Sequence, residues 1–216
     1  MGSGNKRRLF NVTEKARDLK PSQCSALLSL HALTGCDTTS SFKGIGKLKP
    51  HKVLEKYPKF EDSLDILGES LEIEEQHAAQ FEHFVCCLYG FPRLKNIDEL
   101  RFQILQRKCE NNGQLDPNKN VDLANLPPCS SSLKQHVKRS NYQVKIWKLA
   151  HENFPEIPDP SQHGWKIGEV SLEPVWSEEQ ILPIELVDLL EDVGETESED
   201  ENIEYESDSS NCSDIL

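Results

Sequence analysis

No stretch of the 216 residues is apolar over the roughly 18 positions that a membrane-spanning helix needs. No C-x-x-C pair occurs among the seven cysteines, at positions 24, 36, 86, 87, 109, 129 and 212. Their number is odd, their spacing irregular, and no secretory leader is recognisable. The cysteines therefore read as reduced thiols of an intracellular protein, not as a disulfide framework. Scattered Cys and His give no zinc-ligand pattern. Apolar residues are scarce, at 36%. Basic residues are missing from the end of the chain: from Glu185 onward there are 13 Asp or Glu and no Lys or Arg. That run accounts for the net charge of −13, because residues 1–184 carry 24 acidic and 24 basic side chains. A pI near 5.0 is thus a property of the tail and does not argue against a nucleic-acid partner for the body.

What is present is helical periodicity. Residues 31–57, HALTGCDTTSSFKGIGKLKPHKVLEKY, organise the rest. They read as the end of one helix, a loop and the start of another. The first helix opens at Pro21-Ser22, where a missing N–H costs nothing. Cys24, Leu27, Leu28 and His31 give its apolar stripe, and Gly35 ends it. Pro50 opens the next helix, with Val53, Leu54 and Tyr57 inward. Phe60, Leu64 and Leu67 predict a short third helix ended by Gly68. Residues 74–89, with His77, Ala78, Phe81, Phe84, Val85 and Leu88 on one stripe, predict the clearest helix, ended by Gly90. His77 and His83 stand six apart and face different ways. Cys86 and Cys87 suit core filling.

Asn96 caps a further helix, with Glu99 as its reciprocal partner and Leu100, Ile104 and Leu105 inside. Residues 110–129 read as a loop. Ser130–132 cap a long helix to about residue 151. Leu133, Val137, Val144 and Trp147 line one side of it. Lys134, Lys138, Arg139, Lys145 and Lys148 form a basic face on the other, with Tyr142 between. Residues 163–176 predict a small hairpin about Gly168. At the start, residues 9–12 predict a short strand. Residues 178–190 form a short acidic amphipathic helix. Residues 191–216 are expected to be disordered, with Thr196 and Ser198 in acid-directed phosphorylation contexts.

Two chemistries are suggested. A Gly44-Ile45-Gly46 turn before a helix lets backbone N–H groups approach a phosphate, and Lys43, Lys47 and Lys49 add positive charge. Asp37, where the chain leaves a helix, is placed to hold a divalent cation. The plainer alternatives are a tight turn that packs Ile45 inward and an aspartate that only forms a turn. The basic face of the long helix suits a phosphate backbone, and a solvated helix face is its equal alternative.

The spacing of Leu33-Thr34-Gly35-Cys36-Asp37, six residues, then Gly44-Ile45-Gly46 and a helix resembles the flap-endonuclease/XPG-like family of structure-specific 5′ nucleases. The resemblance implies that Asp37 contributes to a two-metal site. It also implies that the glycine turn begins a helix–loop–helix element that grips duplex DNA. Thr38 stands where Tyr is usual there, Phe42 where Ile is usual, and Lys47-Leu48-Lys49-Pro50 replaces a Pro-Lys pair. Leu126-Pro127-Pro128-Cys129, Lys138 to Tyr142 and His163-Gly164-Trp165 extend a broader similarity over residues 5–177. It is to uncharacterised multi-copy animal proteins whose longer members carry an upstream Asp-Thr-Asp segment, as in a PIN-like nuclease domain.

The expectation is therefore a mostly α protein with a small hairpin. It comprises an N-terminal segment (1–20), a helical domain (21–177), the short helix (178–190) and an acidic tail (191–216). The resemblance implies a missing upstream α/β half. Function is expected to be nucleic-acid binding by the C-terminal part of a nuclease-like protein, inactive as this chain alone. Mg²⁺ would be held only if an upstream half completes the site, since one carboxylate cannot hold two such ions. Branched or duplex DNA is the expected partner. No membrane is implied, and the nucleus is favoured over the cytoplasm. The competing expectation is an adaptor with 178–190 as a docking helix. Basic residues on one continuous surface would support DNA, and opposite faces would support the adaptor.

Overall fold

The computed structural model describes residues 9–111, 114–115 and 121–178. All of them belong to one unit, Met1–Ile181. The expected segments 178–190 and 191–216 lie outside the described residues from position 179 onward, as do Lys6, Arg7 and Arg8. Seven α-helices run in order: α1 (Val12–Asp18), α2 (Pro21–Leu33), α3 (Leu48–Lys56), α4 (Phe60–Asp65), α5 (Glu75–Leu88), α6 (Ile97–Cys109) and α7 (Ser130–Lys148). Two antiparallel pairs complete the described residues, β1 (Glu110–Asn111) with β2 (Gln114–Leu115) and β3 (Trp165–Ile167) with β4 (Leu172–Pro174). The protein is mostly helical with a small hairpin, and none of the described helices is long and apolar enough to cross a membrane.

The core lies where α2, α4, α5 and α7 meet. Phe60 packs edge-to-face on Phe84, with ring centroids 5.3 Å apart. Both rings are buried, with Leu33, Leu64, Phe81 and Leu133. Loss of any one of these aromatic rings costs about 3–5 kcal/mol. Cys86 and Cys87 fill this core as buried thiols, and burial pushes Cys86 up to about 12.

Several elements differ from expectation for identifiable reasons. Residues 9–12 do not form a strand. Asn11 accepts the Glu14 N–H at 3.2 Å and starts α1, none of whose residues is buried. In α2 the buried residues are Ala26, Ser29, Leu30, Ala32 and Leu33; of the expected stripe, Leu28 packs half-buried against the core. Cys24 and His31 are exposed. Ala26, Ser29 and Ala32 are fully buried, and hydrophobicity alone could not find that face. α3 begins at Leu48, so Pro50 falls in its first turn, not at its start. The N-cap of α7 is Cys129, and the serines form its first turn. The long helix ends at Lys148 in a 3₁₀ turn, Leu149–His151. The loop after α6 holds β1, β2 and a 3₁₀ turn at Leu123–Asn125.

The largest difference is α7 itself. Of its 19 residues only Lys134 is exposed; nine are buried, among them Gln135, His136, Arg139, Ser140 and Asn141. It is the central helix of the domain and not a surface helix with one wet face.

Candidate functional site

The motif between α2 and α3 is built as a helix end whose carbonyls are all provided for. An α-helix leaves its last carbonyls without partners. Here Thr34 Oγ1 donates to Leu30 O at 2.6 Å and Thr39 Oγ1 to Ala32 O at 2.6 Å. His136 Nε2 donates to Leu33 O at 2.7 Å. The Lys47 ammonium donates to His31 O and Thr34 Oγ1, each at 3.0 Å, and to Gly35 O. A cation at a helix C-terminus also meets the negative end of the dipole. Gly35 makes the turn possible at φ +102°, and an added Cβ would lie 2.7 Å from the Ser41 Cα. Cys36 N–H closes the loop onto Thr39 O at 3.1 Å. Thr38 Oγ1 then ties it to Gln143 of α7 at 2.6 Å.

This capping accounts for most of the conspicuous residues. Asp37 sits exposed at the loop's apex. No group of three or more His, Cys, Asp or Glu side chains converges to hold a metal among the described residues. One exposed carboxylate does not supply the donor set of a Mg²⁺ site. Ile45 packs against the core, with its N–H on Phe42 O at 3.0 Å, and Gly44 has φ +76°. Gly46 has no left-handed backbone. The turn positions Lys47 beneath α2.

The basic residues do not converge. Lys47 is spent as described, and burial holds its ammonium below the usual lysine range, opposed in part by the Cys36 sulfur. Cys36 is itself lowered: burial raises it, but hydrogen bonds from Thr38 and Thr39 outweigh that. Arg139, expected on the basic face, is buried. Its guanidinium donates to Gly164 O at 3.2 Å and to Val175 O, and lies 6.0 Å from Trp165 and 5.3 Å from Trp176. Burial lowers it to about 10. Arg139 thus clamps the hairpin onto α7. Gly164 allows the close approach, since a Cβ there would meet Gln135 O at 2.6 Å. Lys43 pairs loosely with Asp122 at 3.9 Å. Lys145 Nζ donates to Glu69 O at 3.4 Å, and Lys148 pairs with the Glu69 carboxylate at 2.6 Å. Lys49, Lys134 and Lys138 make no ion pair among the described residues, and Lys49 is exposed.

Helix geometry sets the two groups apart. At about 100° per residue, Lys138, Lys145 and Lys148 lie within about 40° of Lys134 around α7. His136, Ser140, Gln143 and Trp147 lie about 120–180° away on the far side. Those four carry the Asp37–Lys47 end of α2, through Leu33 O, Ala32 O, Thr38 and a stacked His31–Trp147 contact. The loop lysines and the α7 lysines therefore occupy opposite sides of one buried helix.

On the α7 lysine side a cleft of about 640 Å³ opens between α7, residues 71–73 and the segment 161–165. Its apolar lining includes Leu71, Ile73, Ala78, Leu133, Val137 and Trp165. Asn141 holds the segment that leads into one wall: its Nδ2 donates to Ser70 O (2.8 Å) and Leu71 O (3.1 Å), and its Oδ1 accepts the Gly68 N–H (2.6 Å). His163 stacks on Tyr142 at 5.9 Å at the other wall. His83 is a structural pin. Its Nε2 donates to Pro92 O at 3.0 Å, its Nδ1 accepts from Lys59 at 3.3 Å, and burial lowers it.

His136, Ser140 and Asn141 were missed as key residues by sequence reasoning. One signal was present: Ser140 falls inside the arc of Leu133, Val137, Val144 and Trp147 on a 3.6-residue wheel. A polar residue inside an apolar stripe calls for a buried partner. No protein-family model, curated protein or solved structure matches the chain.

Proposed function

We propose that this chain is a non-catalytic protein-interaction module whose binding surface is the cleft along α7. The observation that carries the reading is the placement of the loop lysines and the α7 lysines on opposite sides of α7. A single duplex laid on the loop group turns away from the other group. Two of the strongest candidate cations, Lys47 and Arg139, satisfy backbone carbonyls of the fold itself. A concave surface that sets an apolar strip of Leu71, Ile73, Leu133 and Val137 among polar and charged side chains suits recognition of a polypeptide segment. In this reading the HALTGCDTT motif is a scaffold that fixes α2 against α7.

A second reading, weak nucleic-acid binding, keeps one observation in its favour: Lys134 and Lys138 make no ion pair among the described residues. Selection of random peptides displayed on phage against the full chain tests the first reading. The expected result is a set of related peptides whose binding slows amide exchange in residues 69–73 and 130–138. Failure to select any peptide, together with tight duplex binding, would overturn it.

A further inference from the structure

The interaction reading leaves the chemistry of the partner open, and the charges around the cleft narrow it. Lys134 and Lys138 are four residues apart on α7, so their side chains emerge side by side, about 6 Å apart at Cβ. Both line the cleft. Neither ammonium has a hydrogen-bond or carboxylate partner among the described residues, whereas Lys145 and Lys148 on the same face are held by Glu69. Three carboxylates share the lining: Glu72 and Glu178 are exposed and make no ion pair with either lysine, and Glu82 is already spent. It accepts the Ile97 N–H at 3.2 Å and the Ser130 hydroxyl at 2.7 Å. Two adjacent cations beside the apolar part of the lining, with no ion pair among the described residues, are an unfinished electrostatic arrangement.

Resting on the interaction reading above, we propose that the cleft receives an acidic amphipathic peptide of a partner protein. The peptide's apolar side chains lie on Leu71, Ile73 and Val137, and its carboxylates lie on Lys134 and Lys138. Glu72 stands exposed in the opposite lining. It repels acid on that side, so the peptide's acidic edge faces α7 and its neutral edge faces residues 71–73.

The test uses the full chain and three fluorescein-labelled peptides of about 12 residues with Leu and Val at helical spacing. The polar positions are Glu in the first, Gln in the second and Lys in the third. Anisotropy is expected to show the Glu peptide binding at least tenfold more tightly than the Lys peptide, with Gln between, and weakening as salt rises. The Lys134→Glu/Lys138→Glu variant changes residues that make no side-chain hydrogen bond or ion pair among the described residues, and it is expected to reverse that order. Lys138→Gln alone is expected to lose about half of the preference on a logarithmic scale.

Equal binding of the Glu and Lys peptides, or an order unchanged in the double variant, would overturn the proposal. So would self-association of the chain that the double variant abolishes, which assigns the face to a second copy. Displacement of the Glu peptide by a short DNA duplex would likewise overturn it, in favour of nucleic acid. Phage-selected peptides that protect residues elsewhere would sink this proposal and spare the interaction reading. An empty selection together with tight duplex binding would sink both.

Discussion

Acidification should loosen the centre of this fold through one side chain. His136 is buried, donates from Nε2 to Leu33 O at 2.7 Å, and packs edge-to-face on Phe42 at 5.2 Å. Burial lowers it from 6.5 to about 4, with the Leu33 hydrogen bond opposing and the Arg139 charge assisting. Between those two values the unfolded chain binds a proton that the folded chain refuses. Stability therefore rises with pH through that window, is fully present above about pH 6.5, and is lost as pH falls towards 4. Each pH unit is worth about 1.4 kcal/mol, so the whole window is worth about 3 kcal/mol. That is a large part of the 5–15 kcal/mol typical of a domain. Urea unfolding at pH 7, 6, 5 and 4.5 measures it. The control is His136→Gln, which keeps an N–H for Leu33 and does not titrate. Carboxylates and His83 titrate in both proteins and cancel in the difference. The stability advantage of the wild type over the variant should shrink by about 1.4 kcal/mol per unit below pH 6.5. A difference that stays constant from pH 7 to 4.5 would refute the reasoning.

Other consequences follow from the same geometry. Lys47→Met removes three hydrogen bonds from the end of α2 and should cost about 1–3 kcal/mol in urea unfolding; an unchanged midpoint would contradict its role as a cap. Arg139→Met takes the guanidinium donor from Val175 O and from Gly164 O, which keeps only the Val175 N–H at 2.9 Å. It should raise amide exchange at least tenfold in β3 and β4 while leaving α5 protected, and uniform protection would show that the hairpin is held by other contacts.

The elements were legible in the sequence where pattern and punctuation agreed. α5 shows it best: its wide stripe of Phe81, Phe84, Val85 and Leu88 is buried, and Gly90 follows at φ +90°. Asn96 caps α6, accepting the Glu99 N–H at 2.8 Å, while the Glu99 carboxylate, expected to reach back to Asn96, accepts from Gln103 at 3.2 Å. The small hairpin is also where Trp165 and Gly168 suggested. α2 was read on the wrong face because Ala26 and Ser29 carry no hydrophobic signal, although their smallness lets other elements approach. α7 was misread more deeply. Its lysines gave an amphipathic pattern, but four elements pack around it, so polar side chains such as His136 and Asn141 became internal hydrogen-bonding posts. Whether Arg139 faces water or two tryptophans depends on the path of residues 163–176, some 25 to 35 positions away, and no local pattern encodes that. The same holds for Lys47, whose partners come from the preceding helix.

The separation of the two lysine groups is the centre of this account, and the salt dependence of duplex DNA binding tests it most directly. A duplex gripped at once by Lys43, Lys47, Lys49, Lys134, Lys138, Arg139, Lys145 and Lys148 would release counterions from about eight phosphates. Anisotropy would then give a slope of log K against log salt near −7. With the groups on opposite sides and several cations already engaged, binding should be weak with a slope no steeper than about −3. A slope near −7 that falls towards −5 on Lys43→Ala/Lys49→Ala would contradict the account and place both groups on one nucleic-acid surface.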